Sequence, residues 1–413
     1  MLSSLLLALA VVVVVGRLLS AVFRRAGQPP VIGEVVAGIL LGPSFLGLLS
    51  PSAYRFVLPQ DIAPLLGVVA QIGVIIYMFL IGLELNPELL RKRVNATLAI
   101  SLSGIVLPFA LGAGLSVYLY EVYAPANVAF TPFALFLGMA MSITAFPVLA
   151  RIVKDIGLSQ TSLGTTALTC AAFDDVTAWC LLALVVGFVN ANAGSALLVG
   201  VLTLGYAVLM FAFVRPAVAR MVSGREQQNP SQEVIAITLV GLLLSAWLTE
   251  FIGIHAIFGA FLFGVVIPHQ SHLARALRQN LESLTILLLP AFFAFTGMRT
   301  EVGLLDSGSE WLICGIIIAV ATVGKLGGAL FAARLTGLSW RESSALGVLM
   351  NTRGLMELIV LNVGLELGVI SQTLFTMMVL MALATTVATT PVLRRLISFP
   401  EISDGRSRSE PLS

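Results

Sequence analysis

The chain has 413 residues, of which 58% are hydrophobic and only 11% charged, and its formal net charge is +2. Together with a mean hydropathy of +1.02, this excludes a soluble globular domain and gives no sign of a nucleic-acid partner; it describes a polytopic membrane protein. Cys170, Cys180 and Cys314 all lie within apolar stretches, without metal or redox spacing, and read as small buried hydrophobes.

Apolar stretches of about 20 residues, the length that crosses hydrocarbon, recur from end to end. They predict thirteen spans, starting near residues 2, 29, 63, 95, 131, 160, 194, 231, 254, 281, 310, 341 and 372. No polar block between them is large enough to fold alone. The first run, Leu5 to Val15, has no basic segment ahead of it and is followed by Arg24 and Arg25, so it reads as a retained helix rather than a signal peptide. With the amino terminus outside, the cytoplasmic turns carry Arg24/Arg25, Arg91/Lys92/Arg93, Arg151/Lys154, Arg215/Arg220/Arg225, Arg275/Arg278, Arg334/Arg341 and Arg394/Arg395. External turns keep only Arg55 and Arg299. Positive charge sorts to the cytoplasmic side, and one miscounted span would scramble the sorting. The expected location is the cell (inner) membrane, with the carboxyl terminus cytoplasmic.

The chain also resembles itself. Ile32-Gly33-Glu34-Val35-Val36-Ala37-Gly38-Ile39 recurs loosely as Phe258-Gly259-Ala260-Phe261-Leu262-Phe263-Gly264-Val265, with Pro43 and Pro268 following. Phe79-Leu80-Ile81-Gly82-Leu83-Glu84 echoes Phe293-Ala294-Phe295-Thr296-Gly297-Met298. Met141-Ser142-Ile143-Thr144 matches Met350-Asn351-Thr352-Arg353, and Ser159-Gln160-Thr161 matches Ser371-Gln372-Thr373. The copies are spans 2 to 6 and 9 to 13. They are displaced by an odd number of spans, so the second enters the membrane from the opposite side. Two inverted five-helix repeats are an architecture of secondary transporters, whose sites lie near the midplane at interrupted helices.

Span 5 carries Ser142-Ile143-Thr144-Ala145-Phe146-Pro147 halfway along. Pro147 removes a backbone donor and obstructs the preceding turn, which frees carbonyls near Ile143. Its partner in span 12 is Asn351-Thr352-Arg353-Gly354, where glycine and short polar side chains ease unwinding. Two helices broken at one depth bring four half-helix ends together, with dipoles and carbonyls available to an ion.

Charges within the spans are few: Asp174 and Asp175 in span 6, Lys325 in span 11, Arg353 and Glu357 in span 12. Arg17 and Glu34 lie nearer helix ends and are explained by snorkelling or packing. An aspartate at the centre of a bilayer costs about 2.5 to 3.5 kcal/mol on insertion scales, so an adjacent pair marks a polar pathway. Neighbours on a helix point about 100° apart, so Asp174 and Asp175 face different partners. Lys325 is the natural partner for one of them, and Arg353 and Glu357, spaced i, i+4, can neutralise each other. Low dielectric and a like-charged neighbour favour a neutral acid, whereas a nearby ammonium favours the carboxylate. A balance of these lets one carboxyl hold either a proton or a small cation. Alkali cations prefer oxygen, which Asp175, the Thr144 and Ser142 hydroxyls and freed carbonyls would supply.

Other classes fit less well. An aspartyl protease needs carboxylates facing each other across two helices, not consecutive on one. A serine protease fails because His255, His269 and His272 lie at or near helix ends without a matching serine motif. A passive channel would use rings of carbonyls or charges around a pore, and the buried pair within inverted, broken helices favours alternating access instead.

At these residues the chain resembles the monovalent cation/proton antiporters, in the branch of bacterial sodium/proton exchangers, plant cation/proton exchangers and the membrane part of glutathione-gated potassium efflux systems. The carrying motifs are Gly33-Glu34-Val35-Val36-Ala37-Gly38-Ile39-Leu40-Leu41-Gly42-Pro43-Ser44, Phe79-Leu80-Ile81-Gly82-Leu83-Glu84, Thr144-Ala145-Phe146-Pro147-Val148-Leu149-Ala150-Arg151, Phe173-Asp174-Asp175-Val176 and Asn351-Thr352-Arg353-Gly354-Leu355-Met356-Glu357-Leu358. The resemblance implies a homodimer whose core moves like an elevator against a dimerisation domain. Spans 1 to 3 (1–90) and 8 to 10 (228–305) would form the dimerisation domain. Spans 4 to 6 (91–190) and 11 to 13 (306–398) would form the core, with 191–227 the linking helix and 399–413 a polar tail. It further implies that Asp175 binds the cation (Na+ or K+, with Thr144) or the proton, and that Asp174 pairs with Lys325 as in electrogenic members. The expected activity is sodium (or potassium) against proton exchange, with an electroneutral K+/H+ exchanger or a passive cation channel as alternatives. No cofactor, no enzymatic activity and no C-terminal nucleotide-binding domain are expected, and lipid is the surrounding partner.

Overall fold

The computed structural model describes residues 1–84, 94–158, 161–190, 193–223 and 230–396, and these are helical with no strand among them. The main helices are α1 (Leu2–Arg25), α2 (Pro30–Leu41), α3 (Ala63–Glu84), α4 (Val94–Tyr123), α5 (Phe130–Ser142), α6 (Phe146–Asp155), α7 (Ser162–Asn190) and α8 (Ala193–Val208). After a π-helical turn over Leu209–Val214 follow α9 (Arg215–Ser223), α10 (Gln232–Ile252), α11 (Ala256–Val266), α12 (His272–Met298), α13 (Gly308–Leu335), α14 (Trp340–Met350), α15 (Leu355–Glu366) and α16 (Gln372–Leu396). Arg91, Lys92, Arg93 and Arg225, expected in cytoplasmic turns, and the 399–413 tail lie outside the described residues.

Local chemistry sets the helix ends. Pro30 opens α2, where its missing N–H is not needed. Gly253, in the left-handed region at φ 96°, closes α10. Ser339 and Glu342 form a reciprocal capping box at the start of α14.

Among the described residues, eleven helices are long and apolar enough to cross a membrane, and the pair α14 and α15, bent by 42°, makes a twelfth. The one remaining expected span, the ninth, corresponds to α11, which has only 11 residues, about 16 Å of helix. Gly253 and His255, a non-glycine residue at φ 78°, cut it off on one side, and Pro268 follows on the other. The tenth span begins at His272 rather than near 281, because Ser271 caps a helix whose first turns are polar.

Outward-facing positions are apolar, with Phe251 and Leu335 among the most exposed, while Asp174, Asp175, Lys325, Arg353 and Glu357 are buried. This inversion of the soluble-protein pattern is what lipid imposes. Inside, glycines let backbones touch. A Cβ on Gly38 of α2 would collide with the Ala294 carbonyl of α12, and one on Gly297 of α12 with the Val35 carbonyl. A Cβ on Gly82 of α3 would meet the Phe261 carbonyl of α11, and one on Gly264 of α11 the Phe79 carbonyl. The two crossings are built alike, glycine against glycine, as close helix packing in membranes requires.

Candidate functional site

The site sits where α5 and α6 meet α14 and α15. Pro147, second residue of α6, follows the interruption at Ile143–Ala145; Asn351–Gly354 interrupts the other pair. The two breaks are sewn together. Ala145 N donates to Thr352 O at 3.0 Å, and Thr144 Oγ1 donates to Met350 O at 2.9 Å. In return, Arg353 Nη2 donates to Met141 O at 2.6 Å and its Nη1 to Ala140 O at 3.0 Å.

These bonds answer where the freed carbonyls go. A helix end leaves its last carbonyls unpaired, and burying them without donors is unfavourable. At the end of α5, Met139 O accepts from the Ser142 hydroxyl at 2.7 Å. Ala140 O and Met141 O accept from Arg353, and Ser142 O accepts from Lys325 Nζ at 2.5 Å. Two cations thus stand at the negative end of the α5 dipole, where positive charge is favoured. The carbonyls that the interruption frees are occupied by side chains.

The adjacent aspartates part company as helical geometry demands. Asp174 is fully engaged: its Oδ2 accepts from Lys325 Nζ at 2.7 Å and lies 2.8 Å from Thr144 Oγ1, whose one hydroxyl proton it shares with Met350 O, and Ser101 of α4 donates to its Oδ1. Asp175 turns toward the start of α6, where Phe146 N donates to its Oδ1 at 3.5 Å. Its other oxygen, Oδ2, is buried without a hydrogen-bond partner. An acidic group at a helix N-terminus is in a favourable field, yet a lone buried oxygen is open to a proton or to a metal cation. Thr144 is bonded to Asp174 and Ser142 to its own helix, so neither hydroxyl has a hydrogen bond to Asp175.

Arg353 and Glu357 form a buried pair at 2.6 Å. Thr386 Oγ1 of α16 straps the Arg353 backbone on both sides, accepting from its N–H at 3.0 Å and donating to its carbonyl at 2.7 Å. Asn351 Oδ1, Thr352 Oγ1 and Glu357 Oε1 are buried without hydrogen-bond partners. Gly354 is needed because a Cβ there would press on Val148 Cγ2, at 2.5 Å, across the crossing.

Sequence reasoning missed Ser101, Thr386 and the Phe146 amide. Thr386 was within reach: it stands as far after Ser371 as Asp174 stands after Ser159 in the matched segments. Ser101 carried no signal, being one of several hydroxyls on α4. No group of three or more His, Cys, Asp or Glu residues that could hold a metal occurs among the described residues. The arrangement leaves two buried carboxylate oxygens open, Asp175 Oδ2 and Glu357 Oε1, of which the second belongs to a group already paired with Arg353, rather than a permanent metal cage.

Comparison with known proteins identifies the family. The family model described as "Sodium/hydrogen exchanger, transmembrane" matches residues 9–397. The chain is 45% identical to the Na(+)/H(+) antiporter NhaS4 of Synechocystis sp. over 96% of its own length and 99% of that protein. It is 34% identical to the K(+)/H(+) antiporter 1 of Saccharomyces cerevisiae over 96% of its length, spanning 47% of that longer relative. The fold is similar to that of the sodium proton antiporter MjNhaP1 from Methanocaldococcus jannaschii, with a TM-score of 0.69 at 14% identity, covering 95% of this chain and 96% of the other. The chain therefore belongs to the transmembrane sodium/hydrogen exchanger family and is a transporter, not an enzyme.

Proposed function

We propose that this chain is a secondary active antiporter that exchanges a monovalent cation, Na+ or K+, for protons, with Asp175 as the group that both substrates share. The observation carrying the proposal is the contrast between neighbours. Asp174 has three side-chain partners, whereas Asp175 Oδ2 is buried without one. A carboxylate that can be neutralised by one proton or one cation, but not both, couples the two fluxes by competition. Na+ stands first because a relative matched over 99% of its length at 45% identity is named a Na(+)/H(+) antiporter; the yeast relative, named for K(+), keeps potassium open.

The finer architecture belongs to the same proposal. The two glycine crossings, α2 with α12 and α3 with α11, support inverted repeats, since each crossing pairs a helix of one copy with a helix of the other. The reciprocal straps from Thr144 to Met350 O and from Arg353 to Met141 O support them again at the breaks. On this reading α11 counts as the ninth of thirteen spans, the amino terminus is external, and α4 to α7 with α13 to α16 form a core that travels against α1 to α3 and α10 to α12 of a homodimer in the cell membrane. The Lys325 and Asp174 pair supports electrogenic exchange, in which the pair responds to protons while Asp175 carries the ion.

The test is cation-induced proton movement in proteoliposomes loaded with a pH-sensitive dye. Asp175→Asn is expected to abolish the response to Na+, Li+ and K+. Wild-type exchange by that variant would remove Asp175 as the shared site.

A further inference from the structure

Away from the aspartates, a second polar cluster joins helices that the elevator reading assigns to different bodies. Arg299, just past the end of α12, donates from Nη1 to Asn362 Oδ1 at 3.2 Å and lies 3.1 Å from Glu366 Oε1, both on α15. Asn362 Nδ2 donates back to Thr296 Oγ1 of α12 at 2.8 Å. From α3, Gln71 Nε2 donates to Glu366 Oε2 at 3.4 Å, and Gln372 at the start of α16 donates to the Arg299 carbonyl. The Arg299 guanidinium rests over the Phe295 ring, 5.5 Å from its centroid, which restricts where the charge can swing.

Beneath the cluster the helices close on a cavity of about 20 Å³, lined among others by Gln71, Val74, Ile359, Asn362 and Glu366, with room for about one water. Val74 and Ile359 are buried here, on α3 and α15 respectively. The cleft between the two bodies is shut at this end, and polar side chains hold it shut.

The pairs inside the core have a different character. Lys325 with Asp174 and Arg353 with Glu357 are wholly buried, and each would be strongly unfavourable to break in place. Arg299 and Glu366 keep side-chain exposures of 25% and 35%. Water can replace their contact at little expense, as suits a bond remade repeatedly.

We propose that Arg299 and Glu366, supported by Asn362 and Gln71, form a latch that holds α15 against α3 and α12 and opens in each transport cycle. These four are positioning residues of the cycle rather than ion ligands. The proposal rests on the elevator reading above, and the experiment separates the two.

In a background with Cys170, Cys180 and Cys314 replaced by alanine, Ile359→Cys would be labelled with a membrane-impermeant maleimide applied from the Arg299 side of sealed vesicles. Labelling is expected to be at least about fivefold faster in R299Q and in E366Q than in the parent, because losing the latch shifts the population toward the opened cleft. The charge swap R299E/E366R is expected to return the parental rate. Equal labelling of parent, R299Q and E366Q overturns the latch. Separately, a Q71C/E366C disulfide is expected to arrest antiport until reduced. Unimpaired antiport by the cross-linked protein overturns the elevator reading; arrest with unchanged Ile359→Cys labelling removes the latch alone.

Discussion

Lys325 Nζ lies 2.7 Å from Asp174 Oδ2 and 2.5 Å from the Ser142 carbonyl, so one ammonium joins α13, α7 and the broken end of α5. Neither charged side chain is exposed. Removing one partner of such a pair strands the other in low dielectric, at a cost of about 3–5 kcal/mol. Lys325→Ala is therefore expected to lower the unfolding midpoint in detergent markedly, while Lys325→Met with Asp174→Asn, which removes both charges, recovers much of it. A double variant no more stable than Lys325→Ala would show that the lost stability comes from something other than the stranded charge.

The glycine crossings lead to a second prediction about stability alone. At Gly82 an added methyl would strike the Phe261 carbonyl, backbone against backbone, with no rotamer to relieve it. Overpacking of this sort costs about 1–3 kcal/mol or more. At Gly315 of α13 nothing lies within 4 Å of the added atom, and there the exchange should gain up to about 1 kcal/mol of helix propensity. Gly82→Ala and Gly315→Ala, compared by thermal unfolding, are expected to move in opposite directions. Equal shifts would mean that α3 and α11 pack less tightly than the backbone contact indicates.

Much of this architecture was legible because the bilayer punishes charge and rewards periodic apolar length. Asp174, Asp175, Lys325, Arg353 and Glu357 stood out in the sequence for that reason, and all five are buried at the crossing. Less legible was anything set by local backbone geometry. The polar first turns of α12 hid its start at His272, and Gly253 with His255 shortened α11 in a way that apolar length does not reveal. The match of Phe79–Glu84 to Phe293–Met298 sets Gly82 against Thr296, whereas the crossings make Gly82 and Gly297 equivalent, a one-residue shift that only contact resolves. The freed carbonyls near Ile143 were expected to serve an ion. Arg353 and Lys325 reach them instead, because long cationic side chains from other spans are invisible to a reading of one helix at a time.

Arg353 carries a third prediction through the shape of its head group. Its planar fork serves Ala140 O, Met141 O and Glu357 Oε2 together, which a single ammonium on a flexible stem cannot match. Arg353→Lys keeps the charge and loses at least one of these bonds, leaving a buried carbonyl unpaired at about 1–3 kcal/mol. The variant is expected to unfold at lower temperature and to exchange more slowly, with Glu357→Gln milder because both backbone bonds survive. If Arg353→Lys matched the wild type in both measurements, the fork would not be what holds the end of α5.

The last prediction follows from one open oxygen on Asp175. If proton and cation compete for it, occupancy by one excludes the other, and the apparent cation affinity must weaken as protons are added. Where the site is mostly protonated, each unit of lowered pH raises the apparent KM for the cation about tenfold, since one proton is displaced per cation bound. Maximal rate at saturating cation should change far less. Measuring KM for Li+, Na+ and K+ in proteoliposomes at several pH values separates selectivity from competition: the ions will differ in absolute KM, while the slope against pH stays common to all three. A KM independent of pH across the range in which exchange itself is pH-dependent would place proton and cation on different groups, and would move the coupling from Asp175 to the Asp174 and Lys325 pair.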